Sequence, residues 1–303
     1  MVDLSVKKKK EAKLMKKTYL MAGIAILLWS TMATISKVLL GDFDQYQVLC
    51  ISALFAALAL FVVNLLSGRL KKLKACSPKH YLQMLVSGLL GNFFYYAFYY
   101  AGAARLPASQ AFIANYLWPI MSVVFACILL KEKLTVRKGI AFGLSFLGVI
   151  TVAGGDLLRF DTQTLLGMAL CAGGAVCYGA FTVLNKKWDC DTLLSMMLSC
   201  GAAFLLSLLL TLLQGTGWSV NGLQLAGLAW NGICCMAAGS VCWAMALAGS
   251  NTARISNLAY ITPFLSLVWA AVFLKEIPSV WSIVGLCLIV LGIFVQLREK
   301  QEK

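Results

Sequence analysis

Residues 115–132 read NYLWPIMSVVFACILLKE, and residues 259–276 read AYITPFLSLVWAAVFLKE. An offset of 144 residues carries Tyr116, Pro119, Ser122, Val124 and Ala126 onto Tyr260, Pro263, Ser266, Val268 and Ala270. It also carries Leu130-Lys131-Glu132 onto Leu274-Lys275-Glu276 and Leu147-Gly148 onto Leu291-Gly292. Further back, it sets Gly23 over Gly167 and Ala25 over Ala169. A long repeat in a chain of apolar spans is the expected signature of a transporter assembled from two related bundles, with a solute site between them.

Working outward, the whole 303-residue chain is 61% hydrophobic and 13% charged, with a mean hydropathy of +0.84. A water-soluble domain is excluded at that composition. Ten apolar stretches recur, at about 18–40, 46–67, 81–102, 108–130, 139–154, 163–184, 192–213, 222–247, 254–274 and 279–297. As helices they suit a hydrocarbon core of roughly 30 Å. The sustained apolar runs exclude a membrane β-barrel, whose strands alternate. The expectation is an all-α membrane protein with ten transmembrane helices arranged as two inverted five-helix repeats, 18–155 and 156–297. A basic tail, 1–17, precedes them and a short tail, 298–303, follows. Five spans per half is odd, so the second copy begins on the opposite side of the bilayer from the first.

Charge sets the orientation. With the N-terminus inside, 22 of the 26 Lys and Arg residues lie in tails and loops on the cytoplasmic side, leaving Lys37, Arg105, Arg159 and Lys275 for the other. Both termini are therefore expected in the cytoplasm. The charge of +14 reads as topology and lipid contact, with no nucleic-acid partner. The eleven cysteines lie mostly within spans and read as small packing residues, Cys76 and Cys190 falling in loops. No nucleophile–base pair, metal cluster or phosphate-binding loop stands in the sequence, so no enzyme activity, catalytic residue, cofactor or metal is expected.

Polar and aromatic groups at mid-depth mark the candidate substrate site: Trp29 and Ser30, then Asn92, Tyr95, Tyr96 and Tyr99, then Asn115 and Trp118, with Tyr178 and Tyr260. Asn92, Tyr96 and Tyr99 share a helix face. An amide facing lipid is costly, so Asn92 is expected to point inward. Tyr100 reads as part of an interfacial aromatic belt. Pro119 and Pro263 cannot donate to the carbonyls of Asn115 and Ala259, so each is expected to kink its helix where the halves meet. All twelve acidic residues fall in tails, loops or helix ends, and the single histidine, His80, stands at a helix start. Lys37 lies near enough to the outer surface to snorkel. The path thus carries no obvious titrating group, which favours gradient-driven movement. Gly139-x-x-x-Gly143, Ala141, Gly148, Gly285 and Gly292 are expected to pack helices closely within the bundle.

Ten helices, the two-fold repeat, the aromatic-Ser pair in the first span and the paired Leu-Lys-Glu ends resemble the drug/metabolite transporter superfamily, and within it the EamA-type family. The resemblance spans about residues 18–297. Asn115-Tyr116-Leu117-Trp118-Pro119 is similar to the corresponding stretch of the YddG-like aromatic amino-acid exporters. This implies export of amino acids, including aromatic ones, across a bacterial inner membrane by alternating access through a central cavity. It also implies that Tyr95, Tyr96, Tyr99, Trp118 and Tyr178 line that cavity. Tyr178-Gly179 departs from the Trp-Ala pair usual there, which bears on cargo. The partners expected are a small-molecule substrate and the lipid bilayer, with the chain acting as a monomer. The alternatives are a same-fold exporter of other drugs or metabolites, and a non-transporting membrane scaffold.

Overall fold

The computed structural model describes residues 2–158, 161–249 and 257–297. Among them there is helix and no strand. In order these are α1 (Val2–Leu39), α2 (Gln45–Leu66), α3 (Leu70–Leu73), α4 (Pro78–Gly88), α5 (Tyr95–Arg105), α6 (Ala108–Asn115) and α7 (Trp118–Leu129). There follow α8 (Val136–Leu158), α9 (Thr162–Lys187), α10 (Thr192–Gln214), α11 (Gly222–Ala229), α12 (Gly239–Gly249), α13 (Thr262–Trp269) and α14 (Val280–Leu297). Widened π turns at Leu89–Phe94 and Trp230–Ala238 join α4 to α5 and α11 to α12.

The ends of these helices are written in the sequence. Asp44 with Gln47, and Asn221 with Gln224, form reciprocal capping boxes that open α2 and α11. Ser77, Asp161 and Asp191 accept from first-turn N–H groups of α4, α9 and α10. The expected ends differ by a few residues from these.

Six helices are long and apolar enough to cross a membrane among the described residues: Met15–Leu39, Gln45–Leu66, Ala108–Leu129, Thr162–Lys187, Thr192–Gln214 and Gly222–Ala246. Leu258–Leu274 and Val280–Val295 are shorter apolar helices. Large apolar side chains such as Phe61, Leu65, Phe146, Leu209, Val284 and Leu291 stand exposed on the outside. Rows of this kind belong against hydrocarbon.

Loop contacts define two ends of the bundle. At the distal end Gln47 Nε2 donates to the Gly217 carbonyl, Gln224 Nε2 to Asp42, and Ala108 N to Glu276. At the proximal end Arg69 and Lys72 grip Asp191, each at 2.9 Å. Between these ends α2 packs along α10, α5 along α9, α1 along α12 and α8 along α14.

The last of these pairs crosses through glycine. A Cβ on Gly285 would stand 2.5 Å from the Gly148 carbonyl oxygen, and one on Gly148 2.6 Å from that of Gly285. A Cβ on Gly292 would meet the Ala141 carbonyl at 2.7 Å. The contacts 148–285 and 141–292 run antiparallel, and the 144-residue offset exchanges one for the other. Gly139 and Gly143, expected to share this packing, have nothing within 4 Å of an added Cβ. They lie on a different face of α8 from Ala141 and Gly148.

Other backbone features obey the same offset. Glu132 N reaches the Ala126 carbonyl and Glu276 N the Ala270 carbonyl, both at 3.3 Å. Lys131 and Lys275 are left-handed, with φ of 57° and 56°. Gly88 presses on Ser199, while Gly232 presses on Phe55, its offset counterpart.

Candidate functional site

A cavity of about 60 Å³ lies between α1, α12 and α13 on one side and α5, α6, α7 and α9 on the other. Trp29, Asn92, Tyr95, Tyr96, Asn115, Trp118 and Tyr178 all line it. Residues outside the candidate set complete the wall: Met32, Gly91, Phe112, Tyr116, Met196, Ser240, Ala259 and Thr262. None of the lining side chains is charged. The volume is small beside the roughly 300–1,000 Å³ usual for small-molecule pockets. A cargo the size of an amino acid must therefore part the rings to enter.

The rings support one another. Trp118 meets Tyr178 edge-on at 5.2 Å, and Tyr178 leans on Tyr95 at 4.9 Å. Tyr96 meets Tyr95 edge-on at 4.6 Å. Across the cavity, Trp29 packs on Trp243 at 5.4 Å and donates Nε1 to the Cys235 carbonyl at 3.0 Å. Gly91 faces the Phe181 ring so closely that a Cβ would come within 2.4 Å. That approach lets the π turn bring Asn92 onto the cavity wall.

The buried amides are held through their nitrogens, while Asn115 Oδ1 is buried without a partner. Asn92 Nδ2 donates to Ser199 Oγ at 2.7 Å, and Asn115 Nδ2 to the Tyr95 hydroxyl at 2.9 Å. Such pairing is what makes a buried amide tolerable inside a bundle.

Three candidate residues stand away from the cavity wall. Ser30 is buried at a helix contact, where it accepts Trp269 Nε1 at 2.8 Å. Tyr99 is fully buried, stacked on Tyr95 at 6.2 Å with its backbone against Cys171 of α9. Tyr260 packs on Phe294 at 5.9 Å. Tyr100 is not an interfacial belt residue. It is 0% exposed and its hydroxyl accepts Asn231 Nδ2 at 2.7 Å. The amide on the widened turn after α11 offers a partner inside the bundle, and water is not needed.

Pro119 and Pro263 sit in the first turns of α7 and α13. The chain is interrupted before each: α6 ends at Asn115, and a 3₁₀ turn, Asn257–Ile261, precedes α13. The Tyr116 hydroxyl donates to the Ala259 carbonyl, the acceptor that Pro263 leaves free.

On the distal side the chain beside the cavity is buried. In α6 and the turn after it, Ala111–Leu117 are all buried, whereas Met121–Cys127 of α7 are all partly exposed. Lys37 reaches toward the distal end. Its Nζ donates to the Ala103 and Leu106 carbonyls at 2.9 and 2.6 Å, at the carbonyl end of α5 where a cation is favoured. Glu276 accepts from Ala108 N at 3.2 Å and Ser109 N at 3.4 Å, at the N–H end of α6. A cation and an anion from one side of the cavity thus hold the two helix ends that meet at residues 105–108.

At the proximal end, partial burial pushes the Asp191 carboxyl up. The Lys72 hydrogen bond, the Arg69 and Lys72 charges and the Leu194 N–H outweigh that and hold it below its ordinary value. No cluster of three or more His, Cys, Asp or Glu side chains able to hold a metal occurs among the described residues.

Comparison with known proteins agrees with this architecture. The sequence model of the EamA-like transporter family matches the chain twice, over residues 16–154 and 165–298. An aromatic amino acid exporter, YddG, of Ancylobacter novellus is 24% identical over 271 residues, covering 88% of this chain and 92% of its own. A probable terminal-alkyne amino-acid exporter of Streptantibioticus cattleyicolor is 28% identical over 196 residues, 64% of this chain and 65% of its own. An uncharacterized transporter of Archaeoglobus fulgidus is 24% identical, with coverage of 94% and 99%. One solved structure superposes with a TM-score of 0.68 over 93% of this chain and 96% of its own, at 22% identity, a likeness of fold.

Proposed function

The chain belongs to the EamA-like transporter family, and from that premise we propose that it is a secondary transporter exporting amino acids, aromatic ones included, by alternating access. The observation that carries the cargo class is the ring-lined, uncharged cavity. Aromatic faces stack on flat apolar solutes and attract an ammonium group, while the amides and hydroxyls around them supply orientation. Two relatives named as amino-acid exporters favour the same class.

We read the architecture as ten membrane-crossing helices in two inverted five-helix repeats, 18–155 and 156–297. The double family match supports this reading, and so do the antiparallel contacts that the 144-residue offset exchanges. The excess of Lys and Arg at the proximal loops supports a cytoplasmic proximal end and a bacterial inner-membrane setting. The burial of Ala111–Leu117 on the distal side supports reading this conformation as the one that receives cargo from the cytoplasm.

The test is reconstitution into liposomes, with labelled phenylalanine, tryptophan and aliphatic amino acids offered under imposed pH and voltage gradients. Trp118→Ala should lower aromatic flux about ten-fold or more, the range of one stacked ring, while insertion and folding persist. No movement of any amino acid by the unaltered protein would refute the proposed cargo.

A further inference from the structure

The two prolines free two acceptors, and a tyrosine hydroxyl bonds one of them. Pro119 and Pro263 lack the N–H that would bond the carbonyls four residues earlier, those of Asn115 and Ala259. These acceptors are counterparts at the 144-residue offset, as are the hydroxyls of Tyr116 and Tyr260. The Ala259 carbonyl accepts the Tyr116 hydroxyl, a bond that crosses between the halves. Its counterpart, Tyr260 to the Asn115 carbonyl, is not made. The Tyr260 ring rests instead on Phe294.

The difference coincides with the buried distal side. Tyr116 bonds across the halves beside α6, which is largely buried, while α7 beyond Pro119 is partly exposed. We propose that Tyr116 and Tyr260 are the paired positioning residues of alternating access. Tyr116 holds the Ala259 carbonyl when the distal side is closed, and Tyr260 takes the Asn115 carbonyl when the proximal side closes. This rests on the transport reading above and goes beyond it by naming the exchanged bond.

The physical reason is cost. A carbonyl unpaired in a dry interior is expensive, and each proline commits the chain to one such group. With one bond made in each state, the transition exchanges like for like, and neither end of the cycle becomes a trap.

Amide exchange read by mass spectrometry in lipid nanodiscs tests this without any assumption about cargo. Tyr116→Phe should speed exchange over the distal segment 106–115 about five-fold, the shift that one net hydrogen bond produces. Tyr260→Phe should slow exchange there by a similar factor, because it removes the bond that stabilises the distal-open state. The prolines give a second, independent arm. Pro263→Ala restores an N–H to the Ala259 carbonyl and should behave like Tyr116→Phe, while Pro119→Ala should behave like Tyr260→Phe. A Tyr260→Phe variant indistinguishable from the unaltered protein, or one shifted in the same direction as Tyr116→Phe, overturns the exchange of bonds. Flux assays on the same preparations separate the two ideas. Absent amino-acid flux with opposite exchange shifts rejects the cargo and leaves the paired tyrosines standing, and normal flux with uniform exchange does the reverse.

Discussion

Gly285→Ala should weaken the protein, although alanine is the better helix former. In mid-helix, replacing glycine by alanine gains about 1 kcal/mol. Here the new Cβ would lie 2.5 Å from the Gly148 carbonyl oxygen, 2.5 Å from Val152 Cγ2 and 3.1 Å from Val152 N. Two of those atoms are backbone, so α8 and α14 must separate before the methyl fits. Overpacking of this kind costs about 1–3 kcal/mol, leaving a net loss of up to roughly 2 kcal/mol once the helix gain is subtracted. Gly148→Ala and Gly292→Ala meet backbone carbonyls at 2.6 and 2.7 Å and should behave alike. Gly139→Ala and Gly143→Ala, on the same helix with nothing within 4 Å, should be neutral or slightly stabilising. Thermal unfolding of the detergent-purified protein, followed by a thiol-reactive dye on the buried cysteines, separates the two sets. The double variant of Gly148 and Gly285 should cost less than the sum, since both press on one crossing. Equal unfolding temperatures for Gly285→Ala and Gly143→Ala would refute the crossing and the antiparallel pairing read from it.

Further outcomes follow from the charged contacts. Lys37→Met removes two charge-assisted bonds and also removes the cost of burying an ammonium, so the distal closure should weaken by about 1–3 kcal/mol. Faster amide exchange over residues 99–112 would report it, and unchanged exchange would show that the lysine contributes nothing to closure. Asp191 supplies a pH dependence of defined sign. Its carboxyl is held below the ordinary value in the fold, so its contribution is complete above the unfolded value of about 4 and is lost as pH falls through the folded value. Melting curves of the unaltered protein should decline across that acid window, and Asp191→Asn should flatten that part of the decline. Because Arg69 and Lys72 are 38% and 63% exposed, added salt should shrink the difference.

How much of this was legible in the sequence depends on which property carried the signal. Apolar runs marked the helices because hydropathy sums over many residues, and Met15–Leu39, Gln45–Leu66 and Thr192–Gln214 follow the expected spans closely. The expected span 81–102 is broken into α4, a π turn and α5. Gly91 and Asn92 sit in that turn, and no periodicity reveals a turn widened by a ring pressing on a glycine. At the cavity, large rings and amides were readable because each is costly to leave in lipid. Ala259, Met196, Phe112 and Ser240 were not, since small or apolar residues look alike whether they face a cavity or a neighbour. Helix rotation decides the difference, and it turns Ser30 toward Trp269 and Tyr260 toward Phe294. Thr262 did carry a signal: it is the offset counterpart of Trp118, and both line the cavity.

That last pair exposes a division of labour between the halves. Where the offset relates scaffold positions, chemistry is kept or nearly kept: Gly148 with Gly292, Lys131 with Lys275, Gly88 with Gly232. These are glycines at close crossings and left-handed helix ends, where the backbone geometry itself must recur. Where it relates cavity positions, chemistry diverges: Trp118 corresponds to Thr262, Tyr96 to Ser240, Asn115 to Ala259, and Trp29 to Gly173. Under the proposed two-fold relation, both facts have one cause. The two access states are built by exchanging the conformations of the halves, so their energies stay close only if the backbones remain interchangeable. The solute has no two-fold axis, and a wall of paired rings on both faces would hold it in either of two opposed orientations. Pairing the bulky rings of Trp118 and Tyr96 with threonine and serine leaves one preferred orientation. On this argument Thr262→Trp, which restores the symmetry of the wall, should fill a cavity of about 60 Å³ and abolish flux while the protein still folds. Retained flux in that variant would mean the cargo passes elsewhere.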